Sequence, residues 1–153
     1  MAKHNRKGRT NGGGRYVAIS HWMMRTEAWR SFNTVARCAY VELAARYAGP
    51  GSNNGRLPYS LREMAKALNV SKMTAQRAFL MLQDRGFIVE TKRGAFSLKE
   101  RHATEWRLTE FGDDATGAFA TKDFALWKNQ RDYLLKTLDG QPTAERIDAR
   151  FPR

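Results

Sequence analysis

The run Ser71-Lys72-Met73-Thr74-Ala75-Gln76-Arg77 concentrates hydroxyl, amide and cationic groups within about two turns of any helix that carries it. Each type has a partner on a nucleic-acid duplex. A glutamine amide pairs bidentately with adenine, and a lysine or arginine reaches guanine or a phosphate. Ser71, Lys72, Met73, Thr74, Gln76 and Arg77 are therefore candidate contacts, with Arg77 as well suited to phosphate as to a base. Ser60, at a second helix start, can offer its hydroxyl and local amides to a phosphate. Lys92, Arg93, Lys99 and Arg101 add cations further along, and Lys3, Arg6, Lys7 and Arg9 crowd the first residues with no acid among them.

Other chemistries find weaker footing. His4, His21 and His102 are scattered, with no i, i+4 pair and no thiolate partner, so no metal site is expected. Cys38, the single cysteine, falls beside Ala39 on a predicted helix and reads as a buried structural thiol. Glu63 is expected to cap a helix, and Asp113-Asp114 to sit in a loop or a helix start. Gly12-Gly13-Gly14 lacks the preceding strand and the following Gly-Lys-Ser/Thr of a phosphate loop. Trp22, Trp29, Trp106 and Trp127 could stack on single-stranded bases, but their patterned positions place most of them in a core. No catalytic constellation emerges, and neither an enzymatic activity nor a cofactor is expected.

Charge supports a polyanionic partner. Lys and Arg number 27 against 15 Asp and Glu, a net charge of +12 in 153 residues. Phosphates are the commonest target of such an excess, because each contacting cation releases condensed counterions. Anionic membrane is the competitor, but no basic amphipathic helix with a bulky apolar face lies at either end. No apolar run approaches the roughly 20 residues that cross a bilayer. One cysteine excludes an internal disulfide framework. A cytoplasmic, nucleoid-associated location is expected.

The elements that must position these residues follow from periodicity. Tyr16 to Ile19 reads as extended, and Trp22, Met23, Met24 and Trp29 as packing residues. Between Ser31 and Tyr47, Phe32, Val35, Ala36, Ala39, Tyr40, Leu43 and Tyr47 recur at helical spacing. Gly49 to Gly55 is turn-rich, and Pro58 confines Arg56–Tyr59 to a sheet edge. Ser60 and Glu63 form a capping box for a helix burying Leu61, Met64, Ala65 and Leu68. Asn69-Val70 breaks the period, with Asn69 suited to a left-handed conformation. Ser71 caps the next helix, whose stripe is Ala75, Ala78, Phe79 and Leu82, leaving Arg85 solvated. Gly86 should end it in a Schellman motif, with Phe87 packing back on Leu82. Strand character follows at Phe87–Thr91 and Thr104–Thr109, the latter with Trp106 and Leu108 on one face. Asp123 to Leu138 is predicted as a further helix carrying Phe124, Trp127, Leu134, Leu135 and Leu138.

Two short helices joined by a tight turn, the second capped and polar, match a helix-turn-helix. The run from Tyr59 to Ile88 resembles winged helix-turn-helix proteins of the MarR and GntR type. It is closer still to the N-terminal winged-helix domains of phage and plasmid replication proteins. There, too, a phrase like Glu27-Ala-Trp-Arg-Ser-Phe32 leads into a helix, an Asn-Gly loop such as Asn53-Asn54-Gly55, and the helix pair. The resemblance spans roughly Trp22 to Thr109. It implies an α+β, mainly α, winged helix-turn-helix fold whose β-hairpin wing, with Lys92, Arg93, Lys99 and Arg101, straddles a groove or the backbone.

The expected organisation is a flexible basic arm (1–15), a winged helix-turn-helix domain (16–112) and a C-terminal helix and tail (113–153). That last helix could serve a homodimer reading two half-sites, or fold back on its own domain. The expected function is sequence-specific binding of double-stranded DNA, as a transcriptional regulator. The alternatives are an origin-binding or replisome-organising role in a plasmid, phage or mobile element, and non-specific architectural binding. A protein-interaction domain without DNA is the remaining class.

Overall fold

Asn33, Ser60 and Ser71 each turn a side-chain oxygen onto the backbone N–H three residues ahead, at 2.8, 3.2 and 3.1 Å. Each thereby satisfies a donor that the first helical turn leaves orphaned. These caps open α3 (Thr34–Ala44), α4 (Leu61–Ala67) and α5 (Lys72–Asp84) in the computed structural model. The structure describes residues 15–96 and 101–129. Lys3, Arg6, Lys7, Arg9, Lys99, Leu134, Leu135, Leu138 and the predicted tail lie outside them.

Ahead of α3, Ser20 and Thr26 cap two short helices, α1 (His21–Arg25) and α2 (Glu27–Arg30). The helix predicted from Ser31 to Tyr47 is shorter than expected, because Ser31 closes α2 and Asn33 starts α3. Beyond Ala44 the chain tightens, with Arg46 and Tyr47 donating to the carbonyls three residues back. Met23 and Trp29 are buried as predicted, but Trp22 and Met24 are about half exposed, at 50% and 46%.

Among the described residues, five strands complete an α+β fold: β1 (Leu57–Pro58), β2 (Ile88–Lys92), β3 (Ala95–Phe96), β4 (Arg101–His102) and β5 (Glu105–Leu108). The main sheet is antiparallel with order β1-β5-β2, which leaves Pro58 on an edge strand as its missing N–H requires. Register pairs Leu57 with Trp106 and Ile88 with Leu108, and a bulge lies between Glu90 and Lys92. β3 and β4 form a separate two-stranded ladder between β2 and β5.

Phe87 stands at the centre of an aromatic core. Its ring lies 4.8 Å from Phe32, 5.4 Å from Tyr40 and 5.9 Å from Trp29, and it stacks on Phe124 at 4.5 Å. On the other side of α5, Phe79 stacks on Trp106 at 4.7 Å. The predicted helix from Asp123 to Leu138 is not continuous. Its described part is a 3-10 turn, Asp123–Ala125, followed by non-helical chain to 129. Phe124 is fully buried against its own domain, so it contributes to the core rather than to a free apolar stripe. Among the described residues, no helix is long and apolar enough to cross a membrane.

Candidate nucleic-acid interface

The helix pair α4–α5 is held by backbone conformation at both of its exits. Asn69 takes φ 53°, so that Asn69 N–H donates to Lys66 O at 3.2 Å and Val70 N–H to Ala65 O at 2.9 Å. Gly86 takes φ 72°, with Gly86 N–H donating to Gln83 O and Phe87 N–H to Leu82 O. Both are Schellman closures, one predicted from Gly86 and one built on an asparagine. Buried Ala65 is the small residue at the packed side of α4.

α5 divides cleanly. Ala75, Ala78, Phe79 and Leu82 are buried, as the stripe predicts. Ser71, Lys72, Met73, Gln76 and Arg77 are exposed and Thr74 is half-buried, so this predicted set shares one solvent-facing helix start. Ser71 Oγ lies 2.9 Å from Thr74 Oγ1, which uses part of the hydrogen-bonding capacity of both hydroxyls. Arg77 Nη2 donates to the Met73 sulfur at 3.6 Å. Met73 is 62% exposed, so it is not a packing residue. Leu80, two turns on, is also exposed, at 57%. Leu80 is not among the predicted contacts, although its place outside the buried stripe is a readable signal; nor are Arg62 and Lys66, which stand exposed at i, i+4 along α4.

Ser60 caps α4 as its sequence pattern predicts. The capping box is present, with Glu63 Oε2 accepting from the Ser60 amide at 2.8 Å. That amide is therefore occupied by a carboxylate and is not free for a phosphate. The Ser60 amide and hydroxyl hold the Glu63 carboxyl below its usual range, and Arg46, 3.4 Å away, adds to this against the opposing effect of burial. Arg46 is itself fixed by the Pro58 carbonyl and the Tyr59 ring.

The basic hairpin is also rearranged. Lys92 is not in the connecting loop but within β2, opposite Glu105. Arg93 is exposed just beyond it, and Arg101 begins β4. Gly94 sits where a Cβ would lie 2.9 Å from the Thr104 backbone nitrogen, so the two arms approach closely there. Ser60, Arg62, Gly94, His102 and Thr104 line an open cleft of about 410 Å³ between the start of α4 and the base of the β3–β4 ladder. The hairpin base and α4 thus share one surface depression.

Three expectations away from this face are corrected. Cys38 is exposed, because it falls on α3 between the buried positions Ala36 and Ala39 and faces outward. Arg85 is not solvated: it donates to Ser31 Oγ at 2.6 Å, pairs with Asp84 at 3.1 Å and lies over the Trp127 ring. Trp29 and Trp106 are buried, which withdraws them from any stacking role. Among the described residues, no group of three or more His, Cys, Asp or Glu side chains could hold a metal ion.

Comparison of the chain with protein-family models, with curated proteins and with solved structures finds no match.

Proposed function

We propose that this chain is a winged helix-turn-helix protein that binds double-stranded DNA sequence-specifically and acts as a small transcriptional regulator. α5 is the recognition helix, and β2, β5 and the β3–β4 ladder form the wing. One observation carries this reading. The exposed start of α5 presents Lys72, Gln76 and Arg77 together, backed by a fully apolar buried stripe on a chain of net charge +12. Helix N-terminal residues are those that reach base edges in the major groove, and the three types match adenine, guanine and phosphate. Arg62, Lys66 and Arg93 would supply phosphate contacts that fix register without reading sequence. Occupying a promoter requires no chemistry.

Selection from a pool of random duplexes tests the proposal. A recovered motif is expected; recovery of none would leave non-specific architectural binding. Origin binding is the second reading. It rests on the resemblance of Glu27–Phe32 and Asn53–Gly55 to phrases of replication proteins. Mapping the motif to the genome separates the two. A site in the protein's own promoter supports the regulator, and repeats in an AT-rich region beside replication genes support the alternative.

A further inference from the structure

Met73 and Leu80 are seven residues apart on α5, two turns on one face, with Gln76 and Arg77 between them. Both are well exposed, at 62% and 57%, although the four apolar residues on the opposite face are buried. Helix propensity alone does not account for them, since Glu, Lys or Gln would serve a solvated face equally well. The face around them is cationic, through Lys72 and Arg77, and α4 adds exposed Arg62 and Lys66. A second copy of this chain packed on that face would set cations against cations, whereas a polyanion complements it. The major groove of a duplex carries one apolar feature, the C5 methyl of thymine.

We propose that Met73 and Leu80 read thymine methyl groups, an inference that rests on the DNA-binding reading above and adds its base preference. The Arg77 guanidinium, in contact with the Met73 sulfur at 3.6 Å, holds the thioether beside a cation, so one turn offers an apolar tip and a phosphate or guanine ligand together. Seven residues rise about 10.5 Å along a helix, close to three base-pair steps of about 3.4 Å. A helix laid along the groove therefore places two thymine methyls about three base pairs apart, with Gln76 directed at an adenine between them.

The test exchanges each thymine of the selected duplex for deoxyuracil, which removes only the methyl, and measures affinity for the full-length protein. Wild type is expected to lose about three- to fivefold at each of two positions about three base pairs apart. Met73→Ala should abolish the loss at one position and Leu80→Ala at the other. Both side chains are exposed, so neither variant removes core packing. Sequence-specific binding that ignores every exchange would overturn methyl readout while leaving the DNA reading intact. Failure to bind any selected duplex would overturn both. Sedimentation of the free protein checks the competing occupant: a dimer that Met73→Ala or Leu80→Ala dissociates would assign the face to a second copy and end the proposal.

Discussion

Asp114 joins two loops that lie 60 residues apart in sequence. Its carboxylate accepts from the Gly51 amide and from the Asn54 amide, both at 2.8 Å. The Asn54 hydrogen bond, more than those of Gly51, Ser52 and Asn53, holds its pKa below the ordinary aspartate value against a smaller opposing effect of desolvation. Beneath it Asn54 is fully buried, donating to Leu108, Phe111 and Gly112 carbonyls and accepting from the Leu108 amide. A pKa lowered by folding contributes stability above the unfolded value of about 3.9 and loses it as pH falls through the folded value. Asp114→Asn should therefore destabilise the protein at pH 7, with a gap from wild type that closes as pH falls below about 4. Urea denaturation at pH 7 and pH 3 measures it. The comparison isolates Asp114, because Glu63, also lowered, and Glu110, raised by burial despite its hydrogen bond from Tyr40, are present in wild type and variant alike. An undiminished gap at pH 3 would show that the carboxylate charge is not what holds the loop. None of this was legible in sequence, where Asp113-Asp114 and Gly49–Gly55 read as two unrelated loops.

At the scale of elements, what was legible was local. Caps, a buried stripe and a left-handed exit each occupy a few consecutive residues, so α3, α4, α5, β2 and β5 could be read from spacing alone. What could not be read was which element a segment packs against. Phe124 and Trp127, three apart, suggested a helix stripe; instead Lys122 turns left-handed at φ 50° and drops Phe124 onto Phe87. Arg85 was expected in solvent because its partner, Ser31, is 54 residues away. Gly86 sits where these local and distant constraints meet. A Cβ there would lie 2.8 Å from Asp123 Cβ and 2.9 Å from the Phe124 nitrogen, on top of the cost of about 1–2 kcal/mol for a left-handed alanine. Asn69→Ala incurs the left-handed cost without an equivalent clash. Gly86→Ala should thus lower stability by clearly more than Asn69→Ala, and shift tryptophan fluorescence as the segment bearing Trp127 is displaced. Equal losses in thermal melts would mean that the 123–125 turn does not press on the end of α5.

Over the whole molecule, the proposed DNA binding raises the question of how a net charge of +12 would divide between phosphates and bases. Cations that meet phosphates release counterions, so each one removed changes the dependence of affinity on salt; a base-reading amide does not. Arg93 is exposed just beyond β2, and Gln76 is exposed on α5. Their effects should therefore separate. Arg93→Ala is expected to weaken binding to every duplex alike and to lower the salt slope by about one, whereas Gln76→Ala should leave the slope unchanged and relax one base preference by about 1–3 kcal/mol. Titrations of both variants against the selected site and a scrambled duplex, at several salt concentrations, supply slope and discrimination together. A wild-type slope in Arg93→Ala would take the hairpin off the phosphate backbone. Full discrimination in Gln76→Ala would mean that Gln76 is not reading that base, and the preference would then have to come from other side chains.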